Sequence, residues 1–582
     1  MGKLRHVVCA VLTLTWTACT DPLAVGNSNQ PDRSRVFRNP ADLEQFVSNI
    51  YTNVHQGTLG SGTVLDGGVN DGLQAQLLVA GMENVSGLAN FAMGPRGNIP
   101  RTGIPNTRGS TGNAGNYRDW VVEHRAARMG ALAISALGKL TLGSAGRDAR
   151  ARAFARFGQG VALGNLALAY DSASILTEND NPEADAAVVV PFSGYRAVMT
   201  QALAYLDSAI AIATANASGF PLPNTWINGN ALTAAQFIQL CHSYKARFRA
   251  NVARTPAERA DTAAWRAIIG DANAGITADL QITMLPPPAG GWDISWMIQH
   301  FATGSANWHQ MSQFWLGMAD TSGAADTSKG YDHWLNTAPG QRVPFVVVTP
   351  DRRLPQGATR AAQQSNSPTA TAPLAFGATP YFRNRPTGDD QPGDPLGISQ
   401  YDFYRSRAFV NATRTGPYPV MTAAEIRLYA AEGLLRLGNI AAAAALIDVS
   451  RVGNGKLKPL AGVITDSLMP VPGMDSIYVA GSRSCVPRVP DAAAGGYKRA
   501  KCGTIWDALK WEFRMETAYT GYGMWFFAGR GWGDLPQYTA LNWAVPYQEM
   551  DARRETFYGV GGQGGRDAAG PGNYGLFSGG VY

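Results

Sequence analysis

The chain has 582 residues, of which 45% are hydrophobic and only 16% charged, with 66 glycines and 34 prolines. That apolar content excludes a disordered chain, and the Gly and Pro load predicts many loops around a large core. The net charge is +6 with no dense Lys/Arg run, so nucleic-acid binding has no support.

At the N-terminus Lys3, Arg5 and His6 precede the apolar run Val7 to Leu14. This reads as a signal peptide over residues 1–18, too short to anchor the chain in a bilayer. Thr17-Ala18-Cys19 closes it like a bacterial lipobox, although Trp16 stands where Leu is usual. Cys19 is the expected lipidation site, carrying palmitate-type acyl chains. The alternative is ordinary cleavage that leaves Cys19 a spare thiol. No later segment approaches 18 consecutive apolar residues, so no membrane span is expected. Cys9 leaves with the signal, and Cys241 falls in a helical pattern as a buried thiol. Cys485 and Cys502 flank a Pro/Gly-containing loop, and in an exported chain that pair reads as a disulfide.

Residues 19–38 are polar and suit a lipidated tether. Asn39-Pro40 starts a helix whose face is Leu43, Phe46, Val47, Ile50, Tyr51 and Val54. Gly57 to Thr111 shows no sustained period and reads as ordered loops. Helical periodicity then covers Tyr117–Leu137, Ala151–Tyr170, Tyr195–Ala213, Thr233–Val252 and Thr262–Ile276. Small residues and short polar breaks between these helices predict stacked helical pairs. At about Thr277 the character changes. As far as about Val420, Pro, Gly and aromatic residues dominate, with no long helix and a short strand expected at Val343–Val348. A stretch this long and this aromatic is expected to be ordered and functional.

Helical signal returns at Thr422. Thr422 and Glu425 fit a capping box, Glu432 and Arg436 stand four apart, and Gly438-Asn439 reads as a left-handed stop. Ile440 to Arg451, with alanine from Ala441 to Ala445, completes a helical hairpin, and Thr504–Thr517 is a further helix. The expected architecture is mostly α: a tetratricopeptide-like array of helical hairpins with a large loop-rich, aromatic-rich insertion. A single domain, 39–582, would comprise helical repeats (39–276), the loop-rich ligand-binding region (277–420) and a C-terminal hairpin and tail (421–582).

Catalytic signatures are missing from the sequence: there is no His-Glu-x-x-His, P-loop, Gly-x-Ser-x-Gly or Cys-x-x-Cys. The seven His lack ligand spacing, so neither metal nor cofactor is expected. Asp389, Asp390 and Asp394 could hold calcium, but a solvated acidic turn is the favoured reading. The insertion does carry one suggestive cluster: Trp292, Trp296, Trp308, Trp315, Tyr331 and Trp334, with Asp293, Gln299, His300, Asn307, His309, Gln310 and Asp332 beside them. Flat rings with polar neighbours suit the C–H faces and hydroxyl rims of sugars. Core packing is the alternative, because Trp is usually largely buried. At least one or two of these rings are expected to be exposed.

The wording of several blocks goes beyond pattern. Ala424 to Asn439 (AEIRLYAAEGLLRLGN) followed by Ala445 to Arg451 (ALIDVSR) resembles the SusD/RagB family. Cys19 to Leu23 is similar to the family's mature start, and Asn39 to Tyr51 to its first helix. Leu509 to Glu516 is similar to its Glu/Arg-rich helix. Trp525, Arg530, Gly533, Asp534 and Leu535 resemble the segment that follows, and Val545 to Glu549 its closing block. The resemblance implies a lipid-anchored outer-membrane protein facing the cell exterior. Such a protein binds a nutrient polymer or oligomer, mostly glycan, and delivers it to a TonB-dependent (SusC-like) transporter. It implies no enzyme activity and contact with the membrane through lipid only. Glu512, Arg514 and Glu516 read as structural. The region from about 290 to 420 matches no glycan-specific pattern, so the ligand stays open. The competing readings are an exported glycosidase-type enzyme and a helical-repeat scaffold that binds only proteins.

Overall fold

The computed structural model describes residues 37–60, 72–86, 97, 101–110, 116–180, 189–286, 291–294, 309–338, 341–366, 376–385, 399–562 and 564. Its longer helices are α1 (Pro40–Ser48), α2 (Ile50–Thr58), α3 (Gly72–Ala80), α4 (Asn116–Leu137), α5 (Ala145–Ala169), α6 (Tyr195–Ala215), α7 (Ala234–Asn251), α8 (Thr262–Asn273), α9 (Ala423–Arg436), α10 (Ile440–Arg451), α11 (Ile505–Thr517) and α12 (Met524–Trp532). Local sequence explains most of their starts. Asn39 accepts the Ala41 N–H, with Pro40 in the first turn. Thr233 and Gln236 form a full capping box. Asp261 caps α8, and Asp507 accepts from both the N–H and the hydroxyl of Thr504 at the head of α11.

The helices pack in chain order. α4 lies on α5, α5 on α6, α6 on α7 and α7 on α8. The array is interrupted by the insertion and resumes with α9, which packs on α8 and is followed by α10 and α11. Close approach in the middle of the array depends on glycine: a Cβ at Gly164 of α5 would stand 2.2 Å from the Phe248 ring of α7. Two buried, two-bond ion pairs join the early helices to α9. Arg247 meets Glu425 with both contacts at 2.7 Å, and Arg259 meets Glu432 at 2.8 and 2.7 Å.

The two ends of the insertion lie side by side. Strand Leu280–Met284 pairs antiparallel with strand Gly416–Met421, from Leu280 opposite Met421 to Met284 opposite Gly416. This ladder returns the chain to the array where it left, so α9 continues the stack. Among the described residues of the insertion the longest helix is Gly330–Asn336, as the loop-rich expectation requires.

Several local expectations need correction. Only half of the capping box at Thr422 forms: its hydroxyl accepts the Glu425 N–H, but the Glu425 carboxylate is taken by Arg247. Gly438 is left-handed (φ 80°), whereas Asn439 is not and instead caps α10 through the Ala442 N–H. The first helical face is broken at Asn49 into α1 and α2. The stretch read as loops contains α3, whose nine residues are all buried. A helix without a polar face gives no amphipathic period. Val343–Val348 is no strand: the Val347 N–H goes to the Tyr401 hydroxyl and the Val348 N–H to Asp320. By length and composition α6 is apolar enough to cross a membrane, against expectation. It buries Val198, Met199, Ala202, Tyr205, Leu206, Ala209 and Ala213 along the side facing its neighbours.

Candidate functional site

α11 presents Asp507, Lys510, Trp511 and Arg514 at spacings of three, four and seven, which places them on one face of the helix. Opposite this face stands the short helix Gln313–Gly317 of the insertion, with Phe314, Trp315 and the following Met318. Val489 and Pro490 supply a third wall, and Asp534, just beyond α12, supplies the fourth. Together they enclose a cavity of about 160 Å³. Phe314, Trp315, Met318, Trp511 and Arg514 are buried and form its floor, while Val489, Pro490, Asp507, Lys510 and Asp534 are half-buried and form its rim. The floor is therefore closed to solvent, and the cavity opens at its rim.

Each wall is held from behind. The Trp511 indole N–H donates to Asp351 (3.0 Å), which also accepts from Arg353 at 2.7 and 2.9 Å. Arg353 in turn reaches Glu512 and Glu516, and Glu516 also accepts from the Tyr381 hydroxyl and from Arg405. Burial raises the Asp351 carboxyl, but the adjacent Arg353 outweighs it and holds the group below its ordinary range. Val489 and Pro490 lie on the strand Arg488–Pro490, paired with Ala500–Cys502. A Cys485–Cys502 disulfide (S–S 2.00 Å) closes the base of that hairpin. The Arg488 N–H donates to the Met318 carbonyl and the Ala500 N–H to Asp332, both at 2.6 Å, which ties the hairpin to the insertion.

On the rim Asp534 bridges two cations, Lys510 at 2.8 Å and Arg514 at 2.6 Å. Burial raises the Asp534 carboxyl, and those two cations more than offset it, so the group stays ionised below its usual range. Arg514 lies over Trp315, its guanidinium carbon 3.6 Å from the ring centroid. The four charged lining groups are two cations and two carboxylates, so the mouth is neutral overall.

The four described rings of the aromatic cluster pack into the core, the alternative given for them above. Trp292 packs on Tyr51 and His55. Tyr331 stacks between Trp334 and Phe345 and donates its hydroxyl to the Phe314 carbonyl at 2.9 Å. Trp334 lies under the Arg342 guanidinium at 4.3 Å. All three are buried, as is Trp315, so none of these four rings is the expected exposed platform. A helix-poor insertion holds its shape by burying side chains, and these rings do that. Of these four rings Trp315 reaches the cavity, and Arg514 covers one of its faces. Trp296, Trp308, Cys19 and the Asp389, Asp390 and Asp394 group lie outside the described residues. Among the described residues no three His, Cys, Asp or Glu side chains gather as a metal site would.

No family model matches this sequence, and no curated protein does. Solved structures do. A SusD-like protein from Bacteroides fragilis gives a TM-score of 0.51 at 12% identity, over 86% of this chain and 87% of that one. The fold is SusD-like. A SusD superfamily protein from Bacteroides vulgatus gives 0.48 at 12% identity, over 86% of this chain and 89% of the other. In this SusD-like fold the helical array is the scaffold, and the cavity opens where α11 meets the insertion and the disulfide-closed hairpin.

Proposed function

We propose that this chain is a glycan-binding protein of the outer-membrane surface and that the cavity beside α11 contacts the glycan. The observation that carries the reading is the cavity's make-up. Aromatic and apolar side chains stand beside hydrogen-bonding groups on rigid elements, the combination a sugar ring requires. The SusD-like fold and the sequence blocks at Ala424–Arg451 and Leu509–Glu516 support it. Anchoring by lipid on Cys19 and transfer of the bound glycan to a TonB-dependent transporter complete the proposal. The role is capture rather than catalysis.

Sites that enclose a whole small ligand are about 300–1,000 Å³. This cavity is smaller, so most contact with a polymer falls outside it and affinity is modest. Affinity electrophoresis through gels containing different soluble polysaccharides tests the reading. Retardation by at least one polymer, with no new reducing ends released, is the expected result. Free migration through every gel, or hydrolysis of the retained polymer, would overturn it.

A further inference from the structure

We infer that the cavity takes the terminal residue of a neutral glycan chain or branch, gripped through a vicinal diol by Asp507 and Lys510. The inference rests on the glycan-binding reading and narrows it to one end of the polymer and one charge class.

Shape gives the first part of the argument. The floor is buried and only the rim reaches solvent, so a chain cannot thread through. A volume of about 160 Å³ admits one ring and little more. An internal residue carries two linkages leading away from it, and the closed floor blocks one of them. A terminal residue carries one, directed out through the mouth.

Hydrogen-bond capacity gives the second part. Both contacts from Thr504 fall on Oδ2 of Asp507, so among the described residues Oδ1 takes no hydrogen bond. Lys510 spends one of its three N–H donors on Asp534. The two residues are three apart on one helix face, with Cβ atoms about 5–6 Å from each other. One acceptor and one charged donor at that spacing match two adjacent hydroxyls, one donating to Oδ1 and its neighbour accepting from Nζ. Met318, Val489 and Pro490 offer apolar surface for the C–H face of the ring.

Charge gives the third. Lys510 and Arg514 are balanced by Asp507 and Asp534, and Asp534 already occupies both cations. A uronate or sulfated ring would bring an anion beside Asp507 into a mouth that carries no net positive charge. A neutral ring meets no such cost.

The test uses the full chain, a retained polysaccharide, and the methyl α- and β-glycosides of glucose, galactose and mannose as probes. At least one glycoside should compete with the polymer. Partial hydrolysis of the polymer, which multiplies ends, should increase retention per unit mass. Asp507→Asn and Lys510→Met should each raise the glycoside concentration needed by about tenfold, the loss of one charge-assisted hydrogen bond. Asp507→Asn keeps an acceptor for the Thr504 cap and so tests the site without disturbing α11. If the polymer is retained while no glycoside competes, or both variants behave as the parent, terminal recognition is wrong and glycan binding stands. Saturation-transfer NMR on the same glycosides covers the case of no retained polymer. A signal lost in both variants upholds the inference, and no signal from the parent chain overturns both readings.

Discussion

Arg353 of the insertion and Glu512 of α11 are 159 residues apart, and their side chains share two hydrogen bonds, at 2.5 and 3.0 Å, with no solvent exposure. The same guanidinium also meets Asp351 and Glu516, so one cation serves three buried carboxylates and fixes the insertion on the helix that lines the cavity. Such a group is costly to remove singly, because its carboxyl partners are left buried without the hydrogen bonds and charge it supplied. Arg353→Met is expected to destabilise the protein by about 3–5 kcal/mol. Thermal unfolding followed by circular dichroism measures it, and a variant that melts with the parent would show that this cluster does not hold the insertion.

Gly164 tests the packing of the array. Alanine there would drive its Cβ to within 2.2 Å of the Phe248 ring, which is buried between helices and has no room to retreat. Gly164→Ala should destabilise by about 1–3 kcal/mol, although alanine favours helix over glycine. Phe248→Leu in the same chain should recover part of that loss. A stabilised single variant would mean that α5 and α7 sit farther apart than described.

The Cys485–Cys502 bond closes a loop with a sequence separation of 17. Loop-closure entropy at this length gives about 3 kcal/mol. Replacing both cysteines by serine should lower the unfolding midpoint and weaken polymer retention, because the hairpin carries Val489 and Pro490 into the cavity wall. Peptide mapping without reductant checks the bond itself: two free, alkylatable thiols would contradict it.

Glu83 gives the protein a pH dependence. Burial pushes its carboxyl from an ordinary 4.5 up to about 8, opposed by the hydrogen bond from the Tyr519 N–H. The folded-state value lies above the unfolded one. The contribution of Glu83 is therefore complete below the ordinary carboxylate value and declines as pH rises. It is gone once pH passes the raised value. Glu83→Gln keeps an acceptor for Tyr519 and cannot ionise. The parent should lose thermal stability relative to this variant between about pH 5 and pH 9. Parallel curves for the two proteins would contradict the assignment.

Much of the architecture was legible because amphipathic helices announce themselves. The start at Asn39-Pro40, the span Asn116–Leu137 and the stretch Ala234–Asn251 with Thr233 as its cap all follow from period and capping chemistry. α3 was not legible, since burial on every side erases the period. The candidate cavity was only half legible. The run of Asp507, Lys510, Trp511 and Arg514 lay in plain sight as a helix face, but read alone it suits a structural ion-pair helix. Its opposite walls come from Phe314–Met318 and Val489–Pro490, which only the tertiary fold brings together. The four described rings of the cluster, Trp292, Trp315, Tyr331 and Trp334, are buried for a physical reason. A ring able to stack on a sugar is equally able to fill a core, and in an insertion with little helix the core needs it more.

The most direct test of the central claim fills the cavity without removing any charge. Val489 lies half-buried on the rim, on a strand held by its hairpin partner. Val489→Trp should place an indole in the mouth and leave the fold intact. Affinity electrophoresis of the parent and the variant through the same polysaccharide gel, with melting curves run alongside, gives the answer. Retention of the parent and free migration of an equally stable variant is the predicted result. A stable Val489→Trp protein that the polymer retards as strongly as the parent would contradict the assignment of this cavity as the glycan site.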